Sequence, residues 1–326
     1  MTAPTLTLPP GTPDSTYAAR MLELCQHLQL VICQGLEALD GEARFGRDAW
    51  QRPGGGGGEA RVVENGPVFE KGGVNVSAVH GLLPERMAHA FGVDAKPFFA
   101  TGISSVIHPR NPHVPTVHFN FRYFALGDDL GAPEDQWFGG GADLTPYFPE
   151  HDDVVHFHRV WERVCDRHAA VADYNDFKAK CDRYFHLPHR NEARGVGGIF
   201  FDYLRNEPEA TFAFVRDAGH AVLDAYAPIV ERTRDRPFTD REQTFQEIRR
   251  GRYAEFNLAY DRGTRFGLET NGRTESILMS LPPRAQWLYA WQPEPGSVEA
   301  EASAFFQPRD WLGEAGTGSS AVRQEI

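Results

Sequence analysis

TVHFNFRYF, residues 116–124, alternates almost without error. Successive side chains of a strand point to opposite faces. Thr116, His118, Asn120 and Arg122 therefore share one face, and Val117, Phe119, Phe121 and Tyr123 share the other. The apolar face supplies what a core needs. A merely solvated face is usually a mix of Lys, Glu, Thr and Ser. This one lines up a proton carrier, a neutral hydrogen-bonding amide and an anion-binding guanidinium, which points to the floor of a site that handles carboxylates.

The preceding segment, SSVIH (104–108), is followed by PRNPHVP (109–115), which cannot continue a strand and forms a wide loop. If the two strands pair as a hairpin, Ser104, Val106 and His108 join His118, Asn120 and Arg122 on one surface. Strands are further expected at 74–79 and 137–144. The glycines of WFGGGAD (137–143) are of the kind that mark close approach of another backbone or of a ligand. YAEFNLAYD (253–261) also alternates and reads as a strand, as do 264–269 and 277–281. Asp261 with Arg262 at the end of that strand is either a base with its anchor or an ordinary ion pair opening a turn.

Helical periodicity marks 15–39, with Met21, Leu24, Cys25, Leu28, Ile32 and Leu36 in one stripe, Ser15 or Thr16 as the cap and Gly41 as the stop. It returns at 152–170, where His158 lies on the apolar stripe between Val154 and Trp161 and points inward. More helix is expected at 174–185, at 209–231 with Pro228 kinking or ending the last turn, at 238–250 and at 299–306. Strands and helices come in blocks, which predicts an α+β fold with a largely antiparallel sheet. Residues 16–312 read as a single catalytic domain between a disordered arm at 1–15 and a flexible tail at 313–326. The glycine run 54–58 lacks the Lys-Ser/Thr of a P-loop and reads as a flexible loop or a mobile flap.

The chain has 326 residues, 41% hydrophobic and 24% charged, an ordinary soluble globular composition. Its 33 Lys and Arg stand against 45 Asp and Glu, a net charge of −12 that argues against a nucleic-acid partner. An anionic substrate would have to be held by a local cluster of arginines against that field. The cysteines, Cys25, Cys33, Cys165 and Cys181, form no CxxC or CxxxCxxC, so buried reduced thiols of a cytoplasmic protein are expected. The first 15 residues are Pro/Thr-rich without an apolar core, so no signal peptide is expected, and no apolar run approaches the ~20 residues of a membrane span. Among 13 histidines there is no HExxH. Spacing leaves open whether His108, His118, His158 and His189 converge.

Four long blocks resemble one family: VIHPRNPHVPTVHFNFRYF (106–124), WFGGGADLTPYF (137–148), HRNEARGVGGIFFDYL (189–204) and GRYAEFNLAYDRGTRFGLETNGRTESILMSLPP (251–283). The chain resembles the oxygen-dependent coproporphyrinogen III oxidases of haem biosynthesis from about Leu22 to Trp311. It departs from the family pattern at Lys180, where a tryptophan is usual, and at Asn271, where bacterial members commonly have glycine. The resemblance implies a large flat antiparallel sheet flanked by helices on both faces, assembled as a homodimer. It implies that the ring A and B propionates of coproporphyrinogen III become vinyls, giving protoporphyrinogen IX, CO2 and H2O2, with O2 as co-substrate and no organic redox cofactor.

Position by position, the resemblance assigns Ser104, Asn120, Arg122, Asn271, Gly272 and Arg273 to the substrate and His118 to proton donation. It places the pair Asp261 and Arg262 at the tetrapyrrole. It makes His108, His118, His158 and His189 candidate ligands of a divalent cation, and whether a cation is needed stays open. Two rival readings stand beside it: a metal-dependent hydrolase built on the histidines, and a non-catalytic tetrapyrrole carrier.

Overall fold

The computed structural model describes residues 6–85, 88–89, 92–269 and 272–313. Helix α1 (Tyr17–Asp40) starts where Thr16 accepts a hydrogen bond from Ala19 N and stops at Gly41, as the periodicity predicts. A seven-stranded, wholly antiparallel sheet follows. Its strands are β1 (Gly46–Gln51), β2 (Gly56–Glu64), β3 (Phe69–Leu82), β4 (Pro97–Pro109), β5 (Thr116–Leu126), β6 (Asp135–Thr145) and β9 (Gly197–Leu204), in that spatial order. The short β7 (His186–Leu187) and β8 (Glu192–Ala193) pair only with each other. The remaining described helices are α2 (His151–Arg167), α3 (Tyr174–Tyr184), α4 (Pro208–Thr233), α5 (Asp240–Ala259), α6 (Arg262–Glu269), α7 (Thr274–Leu278) and α8 (Val298–Ser303). The α+β expectation holds.

Both faces of β5 fall as the alternation requires. Val117, Phe119, Phe121 and Tyr123 are buried in the main core with residues of α1, α2 and α4, while His118, Asn120 and Arg122 are only half-buried on the other face. Burial of an aromatic side chain of this kind stabilises by roughly 1.5–3 kcal/mol, so a one-residue register slip, which would expose all four, is strongly disfavoured. Helix α4 runs through Pro228 to Thr233. Proline cannot donate to the carbonyl four residues back, and that carbonyl, Asp224 O, instead lies 3.1 Å from His156 Nε2.

Three expected strands are helical. Residues 253–261 belong mostly to α5, which begins at a Thr239/Glu242 capping box and passes straight through Gly251. The alternation there is coincidental. The buried side chains Phe245, Arg249, Tyr253, Phe256 and Asn257 follow helical spacing, and Leu258 is exposed. Gly251 within this helix allows a close approach, since a Cβ there would lie 2.7 Å from Gln286 O. Residues 264–269 lie in α6, and 277–281 span the end of α7 and the turn after it. The glycine run is not a free loop. Gly55 and Gly56 turn the chain with φ of 113° and 82°, and Gly56–Gly58 open β2, with the Trp50 ring lying over Gly58. Leu6 and Leu8, within the expected arm, pack against the main core.

Candidate active site

Register builds the site. Residues directly opposite in an antiparallel pair share a face. Opposite His118 stand Val106 and Asp143; opposite Asn120 stand Ser104 and Gly141; opposite Arg122 stand Gly102 and Gly139. Asn75 extends the Ser104 row onto β3, and Phe200 extends it onto β9. The face is thus polar in its centre and stripped of side chains at Gly102, Gly139 and Gly141, leaving a broad floor for a wide ligand. The hairpin expected between 104–108 and 116–124 forms.

His118 is the most elaborately held group on this floor. Its Nδ1 lies 2.6 Å from Asp143 Oδ1, and the other Asp143 oxygen accepts from Arg194 Nη2 at 2.6 Å. Asp143 and Arg194 are each 2% exposed. Burial pushes the Asp143 carboxyl up, but the Arg194 and His118 charges outweigh it and leave the group below the usual carboxylate value. For Arg194 burial acts downward, and Asp143 overrides it, so the guanidinium stays charged. Arg194 is packed among the Phe185, Tyr253 and Phe256 rings at 4.1, 4.3 and 4.9 Å and donates to Asn257 Oδ1 at 2.9 Å. An ionised carboxylate only accepts, so Asp143 fixes the proton of neutral His118 on Nδ1 and leaves Nε2 as the exchanging atom.

Three arginines stand at the margins, each beside an aspartate. Arg122 donates to Asn120 Oδ1 at 2.7 Å and pairs with Asp202 of β9 at 3.0 Å. Arg262, the first residue of α6, lies 3.9 Å from the other Asp202 oxygen and over the Tyr184 ring at 4.9 Å. Arg273, capping α7, pairs with Asp48 of β1, which stands in the Ala60–Asn75–Ser104 row. Asp261 lies at a junction of two helices, not at a strand end. One oxygen accepts from Thr264 N at 2.6 Å, capping α6, and the other accepts from the Tyr184 hydroxyl at 2.8 Å. Burial first, then the Asp261 charge, pushes that phenol up to about 12. Tyr184 in turn stacks on Phe200 at 4.4 Å, which joins Asp261 and Arg262 to the floor. Gly272 lies between α6 and α7, its N–H bonded to Gly267 O at 2.8 Å. Asn271 falls outside the described residues.

The four candidate cation ligands do not come together. His108 is wholly buried between Thr116 Oγ1 (3.2 Å) and Ser280 O (2.9 Å). Burial and then the Arg250 charge hold it neutral, well below the usual imidazole value. His158 is buried between the Tyr174 hydroxyl (2.8 Å) and Val196 O (3.0 Å), and burial takes its pKa down to about 3. His189 is exposed, bonded to Glu255 at 2.7 Å and Tyr260 at 2.8 Å. A cation centre needs its donors on one point, and among the described residues no group of three or more His, Cys, Asp or Glu is placed to provide it.

Sequence reasoning missed Asp143, Arg194, Asp202, Asn75 and Trp50. Asn75 Oδ1 and Trp50 Nε1 are buried without a hydrogen-bond partner among the described residues, and both residues stand opposite site-facing positions, Ser104 and Gly58. The signal for Asn75 was present in VNVS, an amide alternating with valines. Among the described residues no helix is long and apolar enough to cross a membrane.

A sequence model of the coproporphyrinogen III oxidases matches residues 20–311. That span carries every strand of the floor, the His118–Asp143–Arg194 set and all three marginal arginines. The chain therefore belongs to the coproporphyrinogen III oxidase family, oxidoreductases that decarboxylate coproporphyrinogen III in haem biosynthesis.

Proposed function

We propose that this protein is the oxygen-dependent form of the enzyme. It converts the ring A and B propionates of coproporphyrinogen III to vinyls in the cytoplasm. In each step a propionate, O2 and a proton become a vinyl, CO2 and H2O2, so the porphyrinogen is the reductant and O2 the oxidant. The observation that carries this reading is the floor itself. It is a glycine-stripped polar surface with His118 in its centre and Arg122, Arg262 and Arg273 at its margins, matched to a wide ligand edged by four carboxylates.

On this reading the arginines, Ser104, Asn120, Asn271 and Gly272 bind carboxylates and N–H groups of the substrate. Asp261 accepts a pyrrole N–H, or its proton. Two of the acceptor positions of its carboxylate are in use and the others remain. The deprotonated pyrrole is electron-rich enough to take O2 directly, and the peroxide so formed on the substrate removes a hydrogen from the propionate β-carbon as CO2 departs. His118 takes up a solvent proton on Nε2, beside the Nδ1 proton held by Asp143, and delivers it to complete H2O2. The four cysteines are buried, and burial pushes Cys33 and Cys165 up to about 12, a poor donor set for the iron–sulfur chemistry of an oxygen-independent route.

The test is incubation of the protein with coproporphyrinogen III, with and without O2 and a chelator, followed by fluorescence of the oxidised products. Protoporphyrin formed only with O2 is expected. Equal product without O2 refutes the oxygen-dependent reading, and binding without turnover favours the carrier. A homodimer is part of the proposal. Leu258, Trp287, Leu288 and Tyr289 are exposed large apolar side chains on or near residues 253–287, the segment the proposal assigns to the interface. Sedimentation of a monomer at micromolar concentration would remove it.

A further inference from the structure

We propose that Asp202 is a positioning residue that holds Arg122 and Arg262 together as one carboxylate clamp, and that Gly139 is the clamp's floor. The inference rests on the reading above and assigns roles to two residues outside it.

Asp202 sits on β9 with its oxygens turned to different guanidinium groups, Oδ1 3.0 Å from Arg122 Nη2 and Oδ2 3.9 Å from Arg262 Nη2. Arg122 comes from β5 and Arg262 from the start of α6, so one β9 carboxylate joins a sheet residue to a helix residue. Between β5 and β9 lies β6, and the pair crosses it over Gly139, directly opposite Arg122. A Cβ built on Gly139 would stand 2.6 Å from Asp202 Oδ1, 2.8 Å from Arg122 Nε and 2.9 Å from its Cζ. Any side chain there would displace the Asp202 carboxylate or the Arg122 guanidinium from its present place. This gives the first glycine of the GGG run a reason independent of backbone conformation.

The neighbouring backbone is held tightly. Tyr203 has φ of 56°, in the left-handed region, and its N–H donates to Asp202 Oδ1 at 3.1 Å. Left-handed backbone at a bulky residue is costly and persists where the surroundings fix it. The Tyr203 ring packs beside Trp137 at 5.4 Å, and the Arg205 guanidinium lies over the Trp137 and Tyr203 rings at 4.7 and 5.1 Å. Two long, partly exposed arginine side chains would otherwise lose much rotamer freedom on meeting a ligand. Asp202 bears that ordering in advance and leaves the remaining N–H groups of both guanidiniums for a propionate.

The probe is coproporphyrin III, the oxidised tetracarboxylate, with its tetramethyl ester as the uncharged control, both followed by fluorescence titration. Asp202→Asn removes the shared charge. Gly139→Ala displaces one partner of the pair without altering a charged residue. Each is expected to weaken the acid by about fivefold or more, roughly 1 kcal/mol, while the ester stays within about twofold, and Asp202→Glu is expected to recover part of the loss. A merely structural role would move acid and ester together. The proposal is overturned if both variants hold the acid within about twofold of wild type, or if acid and ester weaken in parallel. Wild-type turnover under O2 is measured separately. Its failure would refute the functional reading while the acid-over-ester preference still judges the clamp.

Discussion

His118 and Asp143 stand directly opposite each other on β5 and β6, with Nδ1 and Oδ1 2.6 Å apart and the carboxylate completed by buried Arg194. The relationship assigns separate jobs to one carboxylate: it orients the imidazole and neutralises the guanidinium. In Asp143→Asn one carboxylate oxygen becomes an amide donor, which must face either Arg194 or His118 Nδ1. Turnover is expected to fall about 100-fold, the usual scale of a positioned proton donor. Stability is expected to fall by about 3 kcal/mol, because Arg194 is left buried without its counter-charge. Steady-state rates and urea melts measure both, and nitrogen-15 shifts of His118 report the tautomer. A variant with wild-type tautomer and a rate within about tenfold would show that Asp143 is only structural.

How much of this was legible follows from the range of each signal. The β5 faces were readable because a period of two with one dry face is local. Residues 253–261 misled for the same reason. Ala254, Phe256, Leu258 and Tyr260 alternate by accident within a helix whose cap lies more than a turn upstream, at Thr239. The short, polar β1 and the glycine-rich starts of β2 and β9 carry little apolar alternation, and pairing with a neighbour defines them. Nothing local in their segments marks the roles of Asp143, Arg194 and Asp202. Their meaning comes from partners brought together by folding, as when Arg194, between β8 and β9, meets Asp143 of β6 and Arg122 meets Asp202 across β6.

Asp261 needs a substitution that keeps its helix cap. Its Oδ2 accepts from Thr264 N, and loss of such a cap alone costs about 1 kcal/mol. Asp261→Ala therefore mixes stability with chemistry. Asparagine caps nearly as well, so Asp261→Asn removes the negative charge with little cost to folding. The expected result is a melting temperature close to wild type and a turnover loss greater than about tenfold, or ~1.4 kcal/mol of barrier. A smaller loss would end the assignment of Asp261 as the pyrrole N–H acceptor.

The cysteines give a simple check of the core. Cys25 and Cys33 on α1, Cys165 on α2 and Cys181 on α3 are all buried and free. Burial raises every one of these thiols, so the reactive thiolate is scarce at neutral pH. A disulfide-exchange reagent is expected to label none of them in the native protein and all of them in denaturant. Fast labelling of any one under native conditions would show that its helix does not pack as described.

Acid stability tests the two buried imidazoles. Burial lowers the folded-state pKa of His158 from 6.5 to about 3, and burial followed by the Arg250 charge lowers that of His108 well below 6.5. Both are bases with depressed folded values, so the unfolded chain takes up protons that the native state refuses. Their contribution is therefore complete above about pH 6.5 and is lost as pH falls toward 3, with stability rising with pH throughout that window. Each group adds a slope of up to ~1.4 kcal/mol per pH unit once the unfolded imidazole is protonated. Urea unfolding at about pH 7, 6 and 5 should show this decline, and His158→Gln should reduce the proton uptake between about pH 6 and 5 by close to one. The substitution will also lower the absolute stability by disturbing the bonds to Tyr174 and Val196, so the slope is the informative quantity. An unchanged slope in the variant would mean that His158 titrates normally in the native protein, which its fully buried position between the Tyr174 hydroxyl and the Val196 carbonyl does not permit.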